Sequence, residues 1–586
     1  MRQINERIRF DVSHIILPGI VVFGLCALVL RLWYLQVVRG EELSRLAVKS
    51  RTISVPIPAS RGLIADRRNV LLANVKVSLA VMITPAEIHD NKEAISRLAQ
   101  LLGKGEPDLE KEIQDNMYRK YLPFVAKTGI TQQQATHIEE QRAFLPGVMV
   151  RALSVREYLR GESCAHALGY VGGLSEDDMK RISQIRDFLP NFTGKVGVER
   201  FYDDILLGHP GIESVEVDSR GNELRKPITT KPKQGDKLVL TIDIRLQEYA
   251  TKLLNGRRGS VVAIDPATGE ILCLVSSPSY DPSLFVKGIS RREWDKLAND
   301  KNLPMHNRAV GSAYAPGSAF KIITLIAGIR TGLITPNTTY VCEGSIEVGN
   351  RKFRCLGVHG RVNYETAIEK SCNIYFAEIA TRIPREMIIE VAKDMGVGEK
   401  TGVDLLGERA GILPDDTFLK ERDLKWYLGD NVNLAIGQGY VSLTPIQMAQ
   451  YAAIIANKGE GYQPHLLRAV IPTLPNERAK FTELQQTRFV KLDEQWWQRI
   501  SRAMQRVVET GTGTAARVDG ISIAGKTGSA EVQRTDKTNA WFIGYAPVRA
   551  PRVAIAVILE AAGGGGEAAA PVAGRIIEKY LKEYSN

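Results

Sequence analysis

At 586 residues the chain is too long for one ordinary domain and predicts two or three. With 44% apolar and 24% charged residues it is globular, which excludes a disordered or fibrous chain. The net charge of +11 suits an anionic partner such as a cell-wall polymer or a membrane face, or is scattered for solubility; no Arg/Lys cluster alternates with aromatics, which argues against a nucleic-acid partner.

Residues 1–14 form a polar tail in which Arg2, Arg7 and Arg9 face Glu6 and Asp11. Residues 15–30 are uncharged, and apolar character continues past Arg31 to Val38. That is long enough for a spanning helix if Arg31 snorkels and Trp33 and Tyr34 sit at the interface. No small-residue cleavage site follows, so 15–38 is expected to be an uncleaved signal anchor. Residues 39–235 mix strand-like runs such as 77–83 with polar helical segments such as 93–102, and contain no catalytic cluster. The stretch 227–235, rich in lysine, threonine and proline, reads as a linker.

A new domain, 236–586, is predicted to open with a strand at 237–242 and an amphipathic helix at 243–254 that carries Leu246, Ala250 and Leu253 on one side. Strands at 260–264 and 270–276 follow, joined by the hairpin signal Asp265-Pro-Ala-Thr-Gly269. Next comes Tyr314-Ala-Pro-Gly-Ser-Ala-Phe-Lys321. Pro316-Gly317 marks a turn, and Ile322, Ile323, Leu325, Ile326 and Ile329 mark an apolar helix. Ser318 therefore lies at the helix N-terminus with Lys321 on the same face, where a neutral lysine can take the hydroxyl proton. An exposed lysine titrates near ~10.4, so that role demands burial or nearby positive charge. Taken alone, the pair also fits an N-cap serine followed by a solvated lysine.

Six cysteines occur, of which Cys26 falls in the anchor and Cys273 in a core strand. Cys342, Cys355, His359 and Cys372, spaced C-x12-C-x3-H-x12-C, are compatible with tetrahedral zinc; a Cys342–Cys355 disulfide and free thiols are the alternatives. Ser371-Cys-Asn373 and Lys526-Thr-Gly528 complete an ordered trio with Ser318-x-x-Lys321. The second of these tripeptides follows an expected strand at 521–524, and Gly528 would let a ligand backbone approach an edge strand closely. Strands at 540–545 and 553–559, a flexible glycine turn at 563–566 and a helix at 572–580 close the chain. Strands at both ends around a helical middle predict one antiparallel sheet with helices packed on it.

The trio, together with Arg61-Gly-Leu-Ile-Ala-Asp-Arg67, Ala263-Ile-Asp-Pro-Ala-Thr-Gly-Glu270, Ile436-Gly-Gln-Gly439 and Trp541-Phe-Ile-Gly-Tyr545, resembles the class B penicillin-binding proteins, most closely their elongation-type branch. That resemblance implies an α+β multidomain protein: cytoplasmic tail 1–14, anchor 15–38, non-catalytic pedestal 39–235 of the dimerisation type, and a serine β-lactamase-like transpeptidase domain 236–586. It implies a single-pass protein of the cytoplasmic membrane, with the bulk outside, that crosslinks peptidoglycan stem peptides through a Ser318 acyl-enzyme. Lys321 would be the base, Ser371 the proton donor to the leaving amine, and Asn373 a partner of Lys321 and of a substrate amide. Lys526, Thr527 and Ser529 would meet the substrate carboxylate, and the backbone N–H groups of Ser318 and Ser529 would form the oxyanion hole. Implied partners are stem peptides and lipid II-derived glycan, penicillins, and a SEDS-type (RodA-like) glycosyltransferase of the elongation complex, with no nucleic acid. The chemistry needs no cofactor, while a structural zinc on Cys342, Cys355, His359 and Cys372 would fix the loop carrying Ser371. Hydrolysis of the acyl-enzyme, a division role and a scaffold with little activity are the rival readings.

Overall fold

The structure, a computed structural model, describes residues 13–43, 52–183, 190–216, 228–474, 476–531 and 537–584. The polar tail thus lies almost wholly outside the described residues, as does Pro227 of the expected linker. The chain divides into two compact units.

In the unit formed by Met1–Ala59 and His209–Lys233, helix α1 (Ser13–Trp33) continues as a π-helical turn over Tyr34–Val38. Its stretch Pro18–Val38 is long and apolar enough to cross a membrane, and Phe23 and Leu28 are exposed on it. The Arg31 guanidinium lies 5.5 Å from the Tyr34 ring, a contact suited to an interfacial belt. Three antiparallel strands, Thr52–Ile57, Gly211–Glu216 and Ile228–Thr230, form a separate sheet. The last of these corrects the linker reading. Ile-Thr-Thr has the β-branched composition of a strand, and its pairing partner lies outside the window from which the linker was read.

The second unit, Ser60–Gly208 with Gln234–Asn586, contains two large sheets and, among the described residues, four two-stranded ones. The first has strands β1 (Ile64–Ala65), β2 (Leu71–Ile83), β3 (Phe124–Thr128), β4 (Val148–Tyr158), β5 (Lys237–Leu240), β8 (Leu467–Ile471) and β9 (Lys480–Phe481), in the order β9-β8-β5-β1-β2-β3 with β4 on the other edge of β2. Beneath it Arg61 donates to Glu199 Oε2 at 2.7 Å and to Asp203 Oδ1 at 2.8 Å, and Arg156 donates to Glu199 Oε1 at 2.6 Å. All four side chains are buried, and Arg181 joins them through Asp203 Oδ2 at 2.7 Å, so Arg61 is part of an ionic network.

The second sheet holds the chemistry. It is antiparallel, in the order β7-β6-β12-β11-β10, with β6 Gly259–Ile264, β7 Ile271–Ser277, β10 Ala524–Glu531, β11 Thr538–Ala546 and β12 Val553–Leu559. Helices α2 (Ile244–Leu254) and α8 (Ala570–Tyr584) pack on one face of it. The helical middle supplies α3 (Lys321–Arg330), α4 (Tyr364–Glu369), α5 (Asn373–Ala380), α6 (Pro445–Ala456) and α7 (Glu494–Glu509). Residues 445–456 of α6 are all buried, so it is the core helix of this layer. One strand and one turn differ from expectation. The strand expected at 521–524 runs from Ala524 through Glu531, so Lys526, Thr527, Gly528 and Ser529 lie inside an edge strand. The glycine run at 563–566 is packed structure: Gly565 is buried and opens a short helix, Gly565–Ala568.

Candidate active site

Ser318 occupies a 3-10 turn, Gly317–Phe320, that feeds directly into α3. The helix buries every residue from Lys321 to Gly328, so its N-terminal turn is anchored and Ser318 is left half-buried at its mouth. Gly317 has φ +54, and a Cβ there would lie 2.7 Å from the Ser529 carbonyl oxygen. Gly528 is equally constrained, since a Cβ would come within 2.6 Å of the Pro316 oxygen. Two glycines therefore let the serine turn lie against the backbone of β10, with the N–H groups of Ser318 and Ser529 belonging to the two adjoining segments.

Lys321 is fully buried, and its Nζ donates to Asn373 Oδ1 and the Ser371 carbonyl, both at 2.7 Å, and to Ser371 Oγ at 3.2 Å. On the other side of the same hydroxyl, Lys526 Nζ donates to Ser371 Oγ at 2.9 Å and to the Thr527 carbonyl at 3.1 Å. Burial lowers the Lys321 pKa to about 8, against small opposing effects of Cys355 and Cys372. Burial, then the charge of Lys321, pushes Lys526 well below the usual lysine range. One hydroxyl held between two amines of depressed basicity can pass a proton between them. Ser371 adopts φ +55, a left-handed conformation that costs a non-glycine residue about 1–3 kcal/mol and persists only where its surroundings enforce it.

The strand side of the site contains groups for which sequence reading gave no role. Thr512 Oγ1 lies 2.6 Å from Thr527 Oγ1. Gln438 Nε2 donates to the Ser529 carbonyl at 3.4 Å, and the Gly565 N–H donates to Ser529 Oγ at 3.2 Å. Trp541 Nε1 donates to the Ala315 carbonyl at 3.0 Å, while Tyr314 donates to Glu560 at 2.7 Å, bracing the turn before Ser318. Only the Gly511 and Gly513 neighbours of Thr512 hint from sequence at a crowded loop.

Cys342, Cys355, His359 and Cys372 converge, with one donor atom from each lying within 4.8 Å of the others. His359 Nδ1 is 3.5 Å from the sulfurs of Cys342 and Cys355, and the Cys355 and Cys372 sulfurs are 3.8 Å apart. Tetrahedral zinc, with bonds of ~2.3 Å to sulfur and ~2.0 Å to nitrogen, places neighbouring donors roughly 3.5–3.8 Å apart, so this donor set fits that metal. All six cysteines are unpaired. Hydrogen bonding with Cys372, and then from the Asn373 N–H, lowers the Cys355 pKa. Because that N–H, 3.2 Å from Cys355 Sγ, is the first of α5, the cluster holds the segment carrying Ser371 and Asn373.

Known domains match both parts of the chain. Residues 259–578 match the penicillin binding protein transpeptidase domain, and residues 56–240 match the penicillin-binding protein dimerisation domain. The chain is 35% identical over 571 residues to peptidoglycan D,D-transpeptidase MrdA of Acinetobacter baumannii, covering 94% of this chain and 85% of that protein. Among solved structures it resembles the penicillin-binding protein PBP2 in its complex with MreC from Helicobacter pylori, with a TM-score of 0.78, 28% identity and coverage of 91% and 99%. It also resembles a chain of a peptidoglycan synthase complex that coordinates polymerization and crosslinking, with a TM-score of 0.69, 29% identity and coverage of 98% of each.

Proposed function

Because the chain belongs to the penicillin-binding proteins, as a peptidoglycan D,D-transpeptidase of the MrdA (PBP2) kind, we propose that Ser318 is its acylated nucleophile and that Lys321, Ser371, Asn373 and Lys526 move its protons. The observation that carries this reading is the Ser371 hydroxyl held between the Lys321 and Lys526 amines at 3.2 and 2.9 Å. Neutral Lys321 takes the Ser318 proton as Oγ attacks the carbonyl between the two terminal D-alanines. The N–H groups of Ser318 and Ser529 receive the oxyanion, each such donor being worth about 3 kcal/mol of barrier. Lys526, Thr527 and Ser529 hold the terminal carboxylate, with Gly528 keeping the strand close. Collapse breaks the C–N bond, and Ser371 passes the proton from Lys321 to the leaving amine. Released D-alanine leaves an acyl-enzyme, and an amine of a neighbouring stem attacks it in the second half of a ping-pong cycle.

The residues present also fit a structural zinc, which Cys342, Cys355, His359 and Cys372 would hold and which would supply rigidity to the Ser371 turn while leaving the reacting atoms to the protein. The apolar span Pro18–Val38 supports a single-pass anchor, and the family supports the cytoplasmic membrane with the catalytic unit on the outer side. The likeness to a PBP2 complexed with MreC and to a peptidoglycan synthase complex supports work in cell-wall elongation beside a RodA-like glycosyltransferase, on stem peptides of lipid II-derived glycan.

The test is intact mass after incubating the protein with a β-lactam, for wild type and Ser318→Ala. A one-to-one adduct absent from Ser318→Ala is the expected result, and slow loss of the adduct favours transfer over hydrolysis. A folded wild type that forms no adduct would remove Ser318 from this role and leave a scaffold.

A further inference from the structure

The Ser371 turn is gripped on both sides. Downstream, the cysteine and histidine cluster holds Cys372 and the first N–H of α5. Upstream stands Glu369, buried, the last residue of α4. Both carboxylate oxygens of Glu369 are used on one neighbouring segment: Oε2 accepts from Arg506 Nε at 2.8 Å and pairs with its terminal nitrogen at 2.7 Å, while Oε1 accepts from Thr510 Oγ1 at 2.7 Å. The Glu369 carbonyl accepts the Thr512 N–H at 3.3 Å, and a Cβ at Gly511 would come within 2.4 Å of that same oxygen. Thr512 then meets Thr527 of β10, hydroxyl to hydroxyl, at 2.6 Å. An unbroken chain of contacts runs from the Ser371 turn, through Glu369 and the loop after α7, to the strand that carries Lys526 and Thr527.

We propose that Glu369 and Thr512 are positioning residues for the reaction: Glu369 sets the place of the Ser371 hydroxyl between the two lysines, and Thr512 sets the orientation of the Thr527 hydroxyl toward the substrate carboxylate. This deepens the reading of Ser318 as the acylated serine and rests on it. Ser371 has a left-handed φ with no glycine to allow it, so its place is enforced by what flanks it. The side chain of Arg506 is 42% exposed and that of Glu369 8%, so solvent only partly screens the pair, and the buried carboxylate depends on Arg506 and Thr510 for its place. A displacement of about 1 Å in a reacting constellation costs on the order of 100-fold in rate. The two residues predict different kinetic signatures, because one steers the proton relay and the other a binding contact.

The experiment uses full-length protein in detergent and the acylation kinetics of a fluorescent β-lactam, resolved into the non-covalent dissociation constant and the acylation rate, with thermal unfolding of every variant. Glu369→Ala should lower the acylation rate by about 100-fold at nearly unchanged dissociation constant. Glu369→Gln, which still offers an oxygen to Arg506, should recover to within about tenfold of wild type. Thr512→Val should raise the dissociation constant by about tenfold with the acylation rate kept. Glu369→Ala acylating at the wild-type rate, or losing rate only in proportion to lost folded protein, overturns the role of Glu369. Thr512→Val with a wild-type dissociation constant overturns that of Thr512. Ser318→Ala acylated like wild type is a separate failure, and it removes the underlying reading and this one with it.

Discussion

A lysine can accept the Ser318 proton only while neutral, and burial brings Lys321 down to about 8. Below that value the protonated fraction grows as pH falls, so the acylation rate should drop about tenfold per pH unit between 7 and 6 and level off above about 8.5. Stopped-flow acylation across pH 6 to 9.5 checks this, and a flat profile would put the base elsewhere. Lys526 is lowered by burial and by Lys321, and a ligand carboxylate brought beside it would favour its cation. Residue types with unusual chemistry were legible: Ser318, Lys321, Ser371, Asn373 and Lys526 are read from short fixed spacings. No role for Glu369, Thr512 or Gln438 was legible, because a glutamate, a threonine and a glutamine acquire one only from the groups the fold brings to them, here Arg506, Thr527 and Ser529.

The edge strand β10 and the turn before α3 work as one element, because glycine at 528 allows the serine turn to approach. In Gly528→Ala the new methyl meets the Pro316 carbonyl, a backbone atom that cannot swing aside. The strand should shift away from Ser318 and lose an oxyanion donor, lowering acylation by about 100- to 1,000-fold while the fold is kept. Acylation kinetics beside circular dichroism reads both halves of that expectation. Sequence periodicity placed β11, β12 and α8 well, since the two strands are largely apolar runs and α8 is amphipathic with the helical period. It misplaced β10, because Lys-Thr-Gly-Ser carries no strand pattern and extends only through its ladder to β11. The cysteine cluster forms a second element, tied to the Ser371 turn through Cys355. Chelator treatment or Cys355→Ser should lower acylation by about 10- to 100-fold, with close to one zinc per chain found beforehand. A chain without zinc and two hydrogens short in mass would assign a disulfide.

At the scale of the whole molecule, backbone pairing crosses the point where composition changes at 236. Strand β5 pairs in parallel with β1 and antiparallel with β8, so pedestal residues and catalytic residues share one sheet. Tyr202 adds a side-chain link, donating to Asp404 at 2.7 Å, while Asp404 accepts the N–H groups of Leu466 and Leu467 at 2.6 and 2.8 Å. Sequence patterning reports one strand at a time and is silent on its neighbours, which is why this continuity could not be read from it. A shared sheet predicts shared unfolding. Arg61 provides the test, because it is buried far from Ser318 in sequence and neutralises Glu199 and Asp203. Arg61→Ala leaves two buried carboxylates short of a counter-charge, a change that costs about 3–5 kcal/mol in comparable buried pairs. In full-length protein the expected outcome is a melting temperature lowered by several degrees, with loss of β-lactam acylation on heating moving down in step with loss of helix signal. Acylation that survives at its original temperature while part of the structure melts early would show that the pedestal unfolds separately and that the common sheet does not couple the two.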